Sequence, residues 1–496
     1  MMRVLFFLAK TSWKQRSFQT FPLGTLSIAS YLESKGHVVK IIDRSYVKIS
    51  PEQIIKEFAP DLVGVTVMSA VVYKDAVLVS KIAKKNHLPV AWGGFMASAL
   101  YDCVLKEDCV DYVIRGEGEE TFEELIHTLT EKGNIEKING LAYKKDKKII
   151  LNPPRKFADL GGFPPINWNL IDVERYLIPH IECEKMAFIY TSKGCPGRCT
   201  FCYNKNYHNC QQRRRPIEHV ISEMEYLIET YGVDGFYFSD ELFYYPEKEM
   251  AKFYTWRDKR SDLNFVWGIQ CRVNTYTKED FQKMYQYGCR WAFFGIEAGT
   301  VERIKRIKKG INFTQVKNSL QACKDIGIAT DESFIIGFPD EDEDELKETI
   351  QTIKKIGCEN PSMNIYFPQP ESEDYNELIR TGRYKKPTSF KKYSKVNLGN
   401  DLMVNFSKIP DIDLKVVHYW SLWHSMMKAS SKERINQDKN SGIVKEYVEA
   451  SASRLRRYGV IEFIMFIGMG VKQYIKSFWY SHAYPSIIRK YHLNEF

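Results

Sequence analysis

The sequence predicts an α/β protein in three parts: an N-terminal doubly wound, Rossmann-like domain, a partial or full (β/α) barrel of the TIM type, and a helical C-terminal domain. Two series of apolar runs alternate with helical patterns, and a segment rich in proline and glycine separates them. A chain of 496 residues also exceeds what one hydrophobic core usually organises. We predict an N-terminal domain, a linker, a barrel and a helical domain at 1–135, 136–185, 186–385 and 386–496.

The N-terminal domain is predicted from five apolar runs. They are "RVLFFLA", "HVVKIID", "DLVGVTVMS", "LPVAWGG" and "DYVIRGEGE", with helical segments such as "GTLSIASYLESKG" between them. Continuous runs of valine, isoleucine and leucine between helices are typical of a parallel sheet buried on both faces. No small-residue cleavage site follows the first run, so we expect a buried strand there rather than a signal peptide.

The barrel is predicted from six further runs that follow the linker. They are "MAFIYTS", "GFYFSD", "FVWGIQC", "WAFFGIE", "ATDESFIIGFP" and "PSMNIYFPQP". Active sites in such folds lie at the carboxyl ends of the strands. A loop rich in cysteine directly follows the first of these strands, in the place where chemistry is expected.

Composition describes the setting of the protein. Eleven cysteines, an odd number, are scattered along a chain with no extracellular signal, so we expect a reducing cytoplasm rather than a disulfide framework. The net charge of +9 is modest, and lysine and arginine are spread along the chain. We therefore expect no nucleic-acid partner.

The cysteine loop, "SKGCPGRCTFCYN", places Cys195, Cys199 and Cys202 within one short stretch. A [4Fe-4S] cluster held by three cysteines leaves one iron free to bind a small molecule, which explains why three suffice. Gly194 and Gly197 would let the backbone wrap closely around a cluster.

Zinc is the alternative ligand for this loop. Structural zinc sites usually take four ligands in two pairs, and Cys210 or His208 could supply the fourth here. The C-x3-C-x2-C spacing is not the usual paired zinc spacing, however, and the loop follows a barrel strand. An iron–sulfur cluster is therefore the preferred interpretation.

The loop resembles that of the radical S-adenosylmethionine superfamily, in which an aromatic residue precedes the last cysteine, as Phe201 does here. The resemblance implies that the open iron chelates the amino and carboxylate groups of S-adenosylmethionine. One electron from the cluster would then cleave the sulfonium and give a 5′-deoxyadenosyl radical that abstracts hydrogen. An electron donor such as flavodoxin or ferredoxin is implied as a partner.

Four downstream segments, "GFYFSDELF", "WGIQCRVN", "FFGIEAGTVERIKRIKKG" and "FIIGFPDED", are similar to motifs of the same superfamily. By this resemblance Asp240 and Glu241 lie near the methionine amino group, and Arg272 meets the carboxylate. Each also has a structural interpretation, because a strand-end acid is often a helix cap and an arginine is often part of a structural ion pair.

The last two of these segments supply the remaining nucleoside contacts that the resemblance implies. Glu297 would bind the ribose hydroxyls, and Gly337 with Pro339 would shape the adenine pocket. Asp340 stands where the family usually has glycine after that proline.

The N-terminal domain resembles the cobalamin-binding domain that precedes the barrel in a large subgroup of this superfamily. The resemblance rests on "FPLGTLSIASYLESKGHVVKIID", "VDYVIRGEGEETFEELI", "GVTVMSA" and "AWGG". A small doubly wound sheet presents its carboxyl strand ends to a flat ligand, and small residues let that ligand approach. The candidate contacts are Leu23, Gly24, Thr66, Ser69, Gly93, Gly94, Gly116 and Glu117. The alternative is that these glycines only make tight turns.

The sequence departs from the cobalamin-binding pattern at two places. No D-x-H-x-x-G motif exists, and Asp43 is followed by Arg-Ser-Tyr, so no histidine is offered as a lower axial ligand to cobalt. The resemblance then suggests base-off cobalamin with a weak or absent lower ligand. The frequent His-Pro after "GG" is Phe95-Met96 here.

The function that the resemblance implies is a cobalamin-dependent radical S-adenosylmethionine enzyme. The commonest chemistry of the subgroup is methylation of an unactivated carbon through a 5′-deoxyadenosyl radical and methylcobalamin. A non-methylating radical enzyme that forms rings or carbon–carbon bonds stays open, as does a non-catalytic iron–sulfur or cobalamin-binding protein. The substrate is a small molecule or a lipid, and nothing in the sequence selects among the known classes.

The C-terminal segment "SRLRRYGVIEFIMFIGMGVKQYIKSFWYSHAY" mixes basic residues with a dense apolar and aromatic face. Its apolar run is broken by Glu462 and Lys472, which leaves it too short for the roughly 20 residues of a membrane span. Packing against the barrel is the preferred interpretation. A membrane-surface helix is the alternative, with its basic residues near lipid headgroups: Arg454, Arg456, Arg457, Lys472 and Lys476. We therefore expect a cytoplasmic protein, with association to a membrane surface as the alternative.

Overall fold

The computed structural model describes residues 1–10, 21–131, 133–180, 182–394, 404–429 and 474–495. The chain divides into two compact units, and each unit contains a seven-stranded sheet. The first unit comprises Met1–Arg175 and Gln369–Gly399, and the second comprises Tyr176–Pro368 and Asn400–Phe496. All eleven cysteines are free thiols.

The first unit begins with five parallel strands separated by helices, as its apolar runs predict. The order of the strands in the sheet is β2-β1-β3-β4-β5-β6-β7. The strands are β1 (Arg3–Leu8), β2 (Val38–Asp43), β3 (Leu62–Thr66), β4 (Val90–Gly93), β5 (Tyr112–Ile114), β6 (Leu141–Lys145) and β7 (Lys148–Leu151). The helices are α1 (Leu23–Ser34), α2 (Pro51–Phe58), α3 (Tyr73–Lys85), α4 (Phe95–Ala99), α5 (Tyr101–Val104) and α6 (Glu119–Glu131). Helix α1 packs against α6 and α2 packs against α3, so the sheet is doubly wound.

Part of the predicted linker belongs to the sheet instead. Strands β6 and β7 form an antiparallel hairpin that extends the first sheet beyond β5. The turn residues Asp146 and Lys147 both have positive φ, which matches the right-handed twist of a tight hairpin. The proline and glycine content of 136–185 suggested irregular structure, but those residues cluster after the hairpin, whose buried residues Leu141 and Tyr143 join the core.

The second unit is an open, mostly parallel sheet with helical crossovers, and its strand order is β16-β15-β14-β13-β12-β9-β8. The strands of this sheet are β8 (Ile178–His180), β9 (Cys183–Ile189), β12 (Gly235–Phe238), β13 (Val266–Cys271), β14 (Cys289–Glu297), β15 (Ala329–Ile336) and β16 (Pro361–Ile365). Strands β10 (Ser192–Lys193) and β11 (Arg213–Arg214) form a separate two-stranded antiparallel sheet. The helices are α7 (Asn204–Tyr207), α8 (Ile217–Tyr231), α9 (Glu247–Lys259), α10 (Lys278–Gln286), α11 (Val301–Arg306), α12 (Phe313–Ile326) and α13 (Glu343–Ile356). The sequence left a full or a partial barrel open, and in the described residues the first and last strands of this sheet do not pair, so the barrel is partial.

Local sequence signals define several of these elements. Thr277 and Asp280 form a capping box at the start of α10, and Asn312 and Gln315 form another at the start of α12. Strand β8, which the sequence placed in the linker, runs antiparallel to β9 at the edge of the sheet.

The chain returns to the first unit after β16, which the predicted boundaries missed. Helices α14 (Glu373–Arg380) and α15 (Phe390–Tyr393) belong to the first unit. Phe390 is fully buried, with its ring centroid 5.7 Å from that of Tyr73 and 6.0 Å from that of Trp92. Lys386 forms an ion pair of 2.9 Å with Asp102. The sequence could not reveal this return, because isolated short helices carry no signal of which sheet they cover.

The C-terminal residues that the structure describes pack on the second unit rather than forming a separate domain. Helix α16 (Asp411–Ala429) lies along the edge strand β16. The Nδ1 of His418 lies 2.7 Å from the carbonyl oxygen of Met363, and the amide of Met363 donates to the hydroxyl of Ser421 at 3.0 Å. These side chains satisfy backbone groups that a further strand would otherwise pair.

The remaining C-terminal elements are a helical stretch at 474–483 and helix α17 (Pro485–Lys490). Lys490 and Tyr491 both contact the Asp413 carboxylate of α16. Within the described ranges, no helix is both long enough and apolar enough to cross a membrane. Most of the segment for which a membrane-surface helix was considered, including Arg454, Arg456, Arg457 and Lys472, lies outside the described residues.

Phe390 should stabilise the first unit although it lies far from that unit in sequence. We expect Phe390→Ala to lower the free energy of unfolding by about 3–5 kcal/mol, since a fully buried phenylalanine is lost and a cavity remains. Urea unfolding of the full-length protein measures the change. The matched control is Phe478→Ala, because Phe478 is 47% exposed, and it should cost at most about 1 kcal/mol. Equal losses for the two variants would contradict the return of the chain to the first unit.

Candidate active site

The cysteine loop leaves the sheet at the carboxyl end of β9, and the side chain of Asn204 holds its first cysteine. The side-chain oxygen of Asn204 accepts the amide of Cys195 at 3.0 Å, and its side-chain nitrogen donates to the carbonyl oxygen of the same residue. Asn204 is buried and begins α7. The amide of Thr200 donates to the carbonyl oxygen of Ile307 at 3.0 Å, which attaches the middle of the loop to the end of α11. The sequence analysis did not single out Asn204.

The three thiols share one environment. The pKa of Cys202 is raised to about 12 by burial, and the neighbouring thiols Cys199 and Cys195 add to the rise while the Lys309 ammonium opposes it. Burial also raises the pKa of Cys195, against the opposing charges of Arg272 and Lys309. The protonated forms of Cys195 and Cys202 are therefore favoured unless a metal centre replaces the protons.

The groups around the sulfurs suit a cluster. A Cβ on Gly197 would lie 3.3 Å from the Sγ of Cys195 and 3.9 Å from the Sγ of Cys199, so this glycine keeps the space between them open. The amides of Gly197 and Asn204 donate to the sulfurs of Cys195 and Cys202 at 3.3 and 3.5 Å. In the described part of the chain, no three histidine, cysteine or acidic side chains converge on a single ion. A four-iron cluster binds each cysteine through a different iron, so its ligands need not converge.

Asp240 has partners other than those that the sequence led us to expect. Its carboxylate accepts hydrogen bonds from the amides of Thr191 and Ser192 at 2.6 and 3.1 Å and from both of their hydroxyls. It is 2% exposed, and burial raises its pKa to about 6. Because these donors occupy both oxygens, Asp240 positions the end of β9 rather than offering a free carboxylate to a ligand.

Glu241 is directed toward the cysteine loop. Its Oε2 accepts the amide of Gly194 at 3.0 Å, and its Oε1 lies 3.6 Å from the Nε2 of His208. Burial would raise the pKa of Glu241, but the hydrogen bond and charge of His208 outweigh it and lower that pKa. His208, which the zinc alternative offered as a ligand, thus contacts Glu241 instead.

Arg272 follows β13 and lies against the same loop. A Cβ on Gly197 would lie 2.8 Å from its Nη1, and its Nη2 donates to the carbonyl oxygen of Lys309. The structure therefore brings Arg272 beside Cys195, as expected if it meets a ligand near the thiols.

Glu297 ends β14 with a left-handed backbone, φ 76°, and its carboxylate forms an ion pair of 3.0 Å with Lys309. The side chains are 13% and 8% exposed, respectively, so the pair is largely buried. A residue other than glycine at such a φ is uncommon and is often found at functional sites. Lys309 was quoted in the segment "RIKKG" but was not identified as a candidate, although a lysine next to glycine after α11 was the available signal.

Side chains pack against one side of the segment that contains Gly337 and Pro339, at the end of β15. Gly337 has φ 79°, and a Cβ there would lie 3.1 Å from a methyl carbon of Leu414 in α16. Phe338 between them is 1% exposed, and its ring centroid lies 6.0 Å from that of Phe201. The sequence analysis missed this aromatic contact, which joins the cysteine loop to the end of β15.

The candidate cobalamin residues of the first unit lie at or after the carboxyl ends of β3, β4 and β5 and at the start of α1. The hydroxyl of Thr66 lies 2.8 Å from that of Thr25 in α1. Nothing lies within 4 Å of a Cβ added to Gly24 or Gly116, so both face open space. Gly94 differs, because its φ is 96° and a Cβ would lie 3.0 Å from the backbone of Val67.

The remaining members of this group have mainly local roles in the described structure. The Ser69 hydroxyl accepts the amide of Val71 at 3.5 Å, and Gly93 pairs with Thr66 across the sheet. Leu23 begins α1, and Glu117 is half-buried after Gly116. The turn interpretation therefore accounts for Gly94, whereas Gly24 and Gly116 keep space beside the strand ends.

A partial parallel barrel with a three-cysteine loop after its first parallel strand defines a radical S-adenosylmethionine type of barrel. Residues 189–353 match the Radical SAM superfamily, and residues 14–126 match the B12 binding domain. The chain belongs to the family of radical S-adenosylmethionine enzymes that carry a cobalamin-binding domain.

Three known proteins illustrate the similarity. An uncharacterized methyltransferase of Pyrococcus horikoshii is 32% identical over 380 residues, which is 74% of this chain and 82% of that protein. The anaerobic magnesium-protoporphyrin IX monomethyl ester cyclase of Rubrivivax gelatinosus is 28% identical over 391 residues, covering 75% and 68%. The structure of the radical S-adenosylmethionine methyltransferase TsrM of Kitasatospora setae, with cobalamin and a [4Fe-4S] cluster bound, has a TM-score of 0.66 at 17% identity and covers 77% and 78%. At that identity the likeness establishes the fold.

The cofactors that follow from the family are a [4Fe-4S] cluster, S-adenosylmethionine and cobalamin. The chain's own residues fit them, because three thiols lie together near the Arg272 and Lys309 cations in the second unit, and open space lies beside Gly24 and Gly116 in the first.

The buried pair of Glu297 and Lys309 should stabilise the cofactor-free protein. We expect Lys309→Met to lower the free energy of unfolding by about 3–5 kcal/mol, because the Glu297 carboxylate is left without its partner. The double variant Glu297→Gln, Lys309→Met should lose clearly less, since no unpaired charge remains. Urea unfolding of metal-free protein measures these changes, and Lys317→Met at an exposed position of α12 is the control. The single variant Glu297→Gln completes the comparison. If the double variant loses as much stability as the two single variants together, the pairing is contradicted.

Proposed function

We propose that this radical S-adenosylmethionine enzyme is a methyltransferase that adds a methyl group to an unactivated carbon of a small molecule or a lipid. The observation that carries the proposal is the similarity to the methyltransferase of Pyrococcus horikoshii, which covers 74% of this chain at 32% identity. When bound, the cluster with S-adenosylmethionine supplies a radical that removes hydrogen from a carbon, and cobalamin supplies the methyl group. A flavodoxin or ferredoxin is the proposed source of electrons.

The residues of the second unit divide into ligands and positioning groups in this proposal. Cys195, Cys199 and Cys202 are the proposed cluster ligands, and Asp240 keeps the loop in place through Thr191 and Ser192. The support for these roles is the shared environment of the thiols and the four hydrogen bonds to the Asp240 carboxylate.

The proposed contacts to S-adenosylmethionine lie around this loop. Glu241 binds the amino group, and Arg272, beside Cys195, binds the carboxylate. Glu297 binds the ribose hydroxyls, and its pairing with Lys309 limits the orientations of its carboxylate. The proposed adenine contacts are Phe201, Gly337 and Pro339.

Product analysis tests the proposal. Full-length protein is reconstituted anaerobically with iron, sulfide and cobalamin, reduced, and given S-adenosylmethionine with a deuterated methyl group. A methyltransferase should produce S-adenosylhomocysteine and 5′-deoxyadenosine together, both measured by mass spectrometry. A ring-forming enzyme, a candidate because of the similarity to the Rubrivivax gelatinosus cyclase, should produce only 5′-deoxyadenosine. A binding protein should produce neither.

Cysteine variants control the same experiment. Replacing Cys195, Cys199 and Cys202 with alanine should remove the bound iron and the 5′-deoxyadenosine. The matched variant is Cys210→Ala, which lies close to the loop in sequence and is likewise half-buried, and it should retain both. Loss of metal in Cys210→Ala, or stoichiometric zinc in the anaerobically purified protein, would favour a four-ligand zinc site instead.

Gly24 offers a direct test of cobalamin binding by the first unit. We expect Gly24→Trp to weaken hydroxocobalamin binding by at least about tenfold, because the indole would occupy open space beside the strand ends. Gly162→Trp is the control, since Gly162 is also exposed and a Cβ there meets nothing within 4 Å. Absorbance titration of the full-length variants measures the affinity. Unchanged binding in Gly24→Trp would place cobalamin elsewhere.

A further inference from the structure

Met68 is an apolar side chain in an unexpected position. It follows β3 at the carboxyl edge of the first sheet and is 60% exposed. Among the described large hydrophobic residues of the first unit, only the N-terminal Met1 is more exposed.

The thioether of Met68 is held in place by the turn that follows β4. The amide of Phe95 donates to its Sδ at 3.5 Å, and a Cβ on Gly94 would lie only 3.1 Å from the same sulfur. The amide of Val67 donates to the carbonyl oxygen of Gly93 at 2.8 Å, which keeps the two strand ends together. The hydrogen bond from Phe95 therefore fixes the position of the exposed sulfur.

Met68 also borders the point where ligands bind in sheets of this kind. The order β2-β1-β3 reverses the direction of winding between β1 and β3. Flat ligands occupy the crevice outside the carboxyl strand ends at such a reversal. Because the family binds cobalamin with this domain, the ligand expected over Met68 is the corrin.

No histidine of residues 1–135 lies at this edge of the described sheet. The histidines of residues 1–135 are His37, His87 and His127. His37 directly precedes β2 and His87 precedes β4, so both lie at the amino edge of the sheet. His127 lies on α6, 3.3 Å from Glu131. None of these three histidines could therefore coordinate a metal bound next to Met68.

We infer that the thioether of Met68 faces the lower side of the cobalt and takes the place that an axial histidine would otherwise occupy. A thioether is neutral, soft and a weak donor. It would cover the lower face without supplying the strong nitrogen donation that stabilises a metal in its higher oxidation state. The placement depends on cobalamin binding, a property of the family, and not on methyl transfer.

Electron paramagnetic resonance of the cob(II)alamin-loaded, full-length protein tests this placement. The wild type should show cobalt hyperfine lines without nitrogen splitting. Met68→His should split each of those lines into a triplet, because one nitrogen-14 nucleus would then bind the cobalt. Leu78→His is the matched control, since Leu78 is 48% exposed on α3 away from the strand ends, and its spectrum should match the wild type.

Three results would overturn the inference. They are nitrogen splitting in the wild type, no nitrogen splitting in cobalamin-loaded Met68→His, and the same splitting in Leu78→His.

If Met68→His does not retain cobalamin, the cobalamin affinities of Met68→Ala and Met68→Leu test the placement instead. Met68→Ala loses the apolar contact that leucine would keep with a bound corrin, so it should bind cobalamin about tenfold more weakly than Met68→Leu. Equal affinities would show that no ligand covers this side chain.

Discussion

One buried carboxylate determines where the reactive loop of the second unit begins. Asp240 lies after β12, and because β12 pairs directly with β9, its side chain reaches the end of the neighbouring strand. There it accepts the amides and the hydroxyls of Thr191 and Ser192. A buried charge without partners is costly, so this arrangement permits very little displacement of the strand end. The next residue, Glu241, extends the same connection to Gly194 at the start of the cysteine loop.

The open edge of the sheet imposes a second constraint. In a partial barrel, β16 pairs with β15 on one side only, and unpaired polar groups on the other side are unfavourable when they are buried. Two side chains of helix α16 satisfy these groups at Met363. His418 contacts its carbonyl oxygen, and Ser421 accepts its amide. The same helix places Leu414 over Gly337, so one element both covers the edge and limits the space beside the end of β15.

Two positively charged side chains lie near the thiols of the cysteine loop. Arg272 and Lys309 come from different parts of the second unit, and each lowers the pKa of a buried cysteine against the effect of burial. Lys309 is in turn paired with the carboxylate of Glu297, a residue with a left-handed backbone. The thiolates of a bound cluster would meet these cations, and the buried carboxylate keeps the Lys309 ammonium from being an unpaired buried charge.

The amino-acid sequence alone determined the two α/β series and the cysteine loop, because apolar periodicity and motif spacing are local properties of the chain. The resemblance of its motifs to a known superfamily indicated the cofactor class. Eleven predicted strands are present, and the cysteines follow the strand that the pattern indicated. Only the tertiary structure decided that Asp240 is a positioning group, that Lys309 pairs with Glu297, and that Phe390 completes the first unit. These facts depend on which distant residues meet after folding. The burial that makes such contacts strong is created by the packing of the whole unit, and no stretch of sequence contains it.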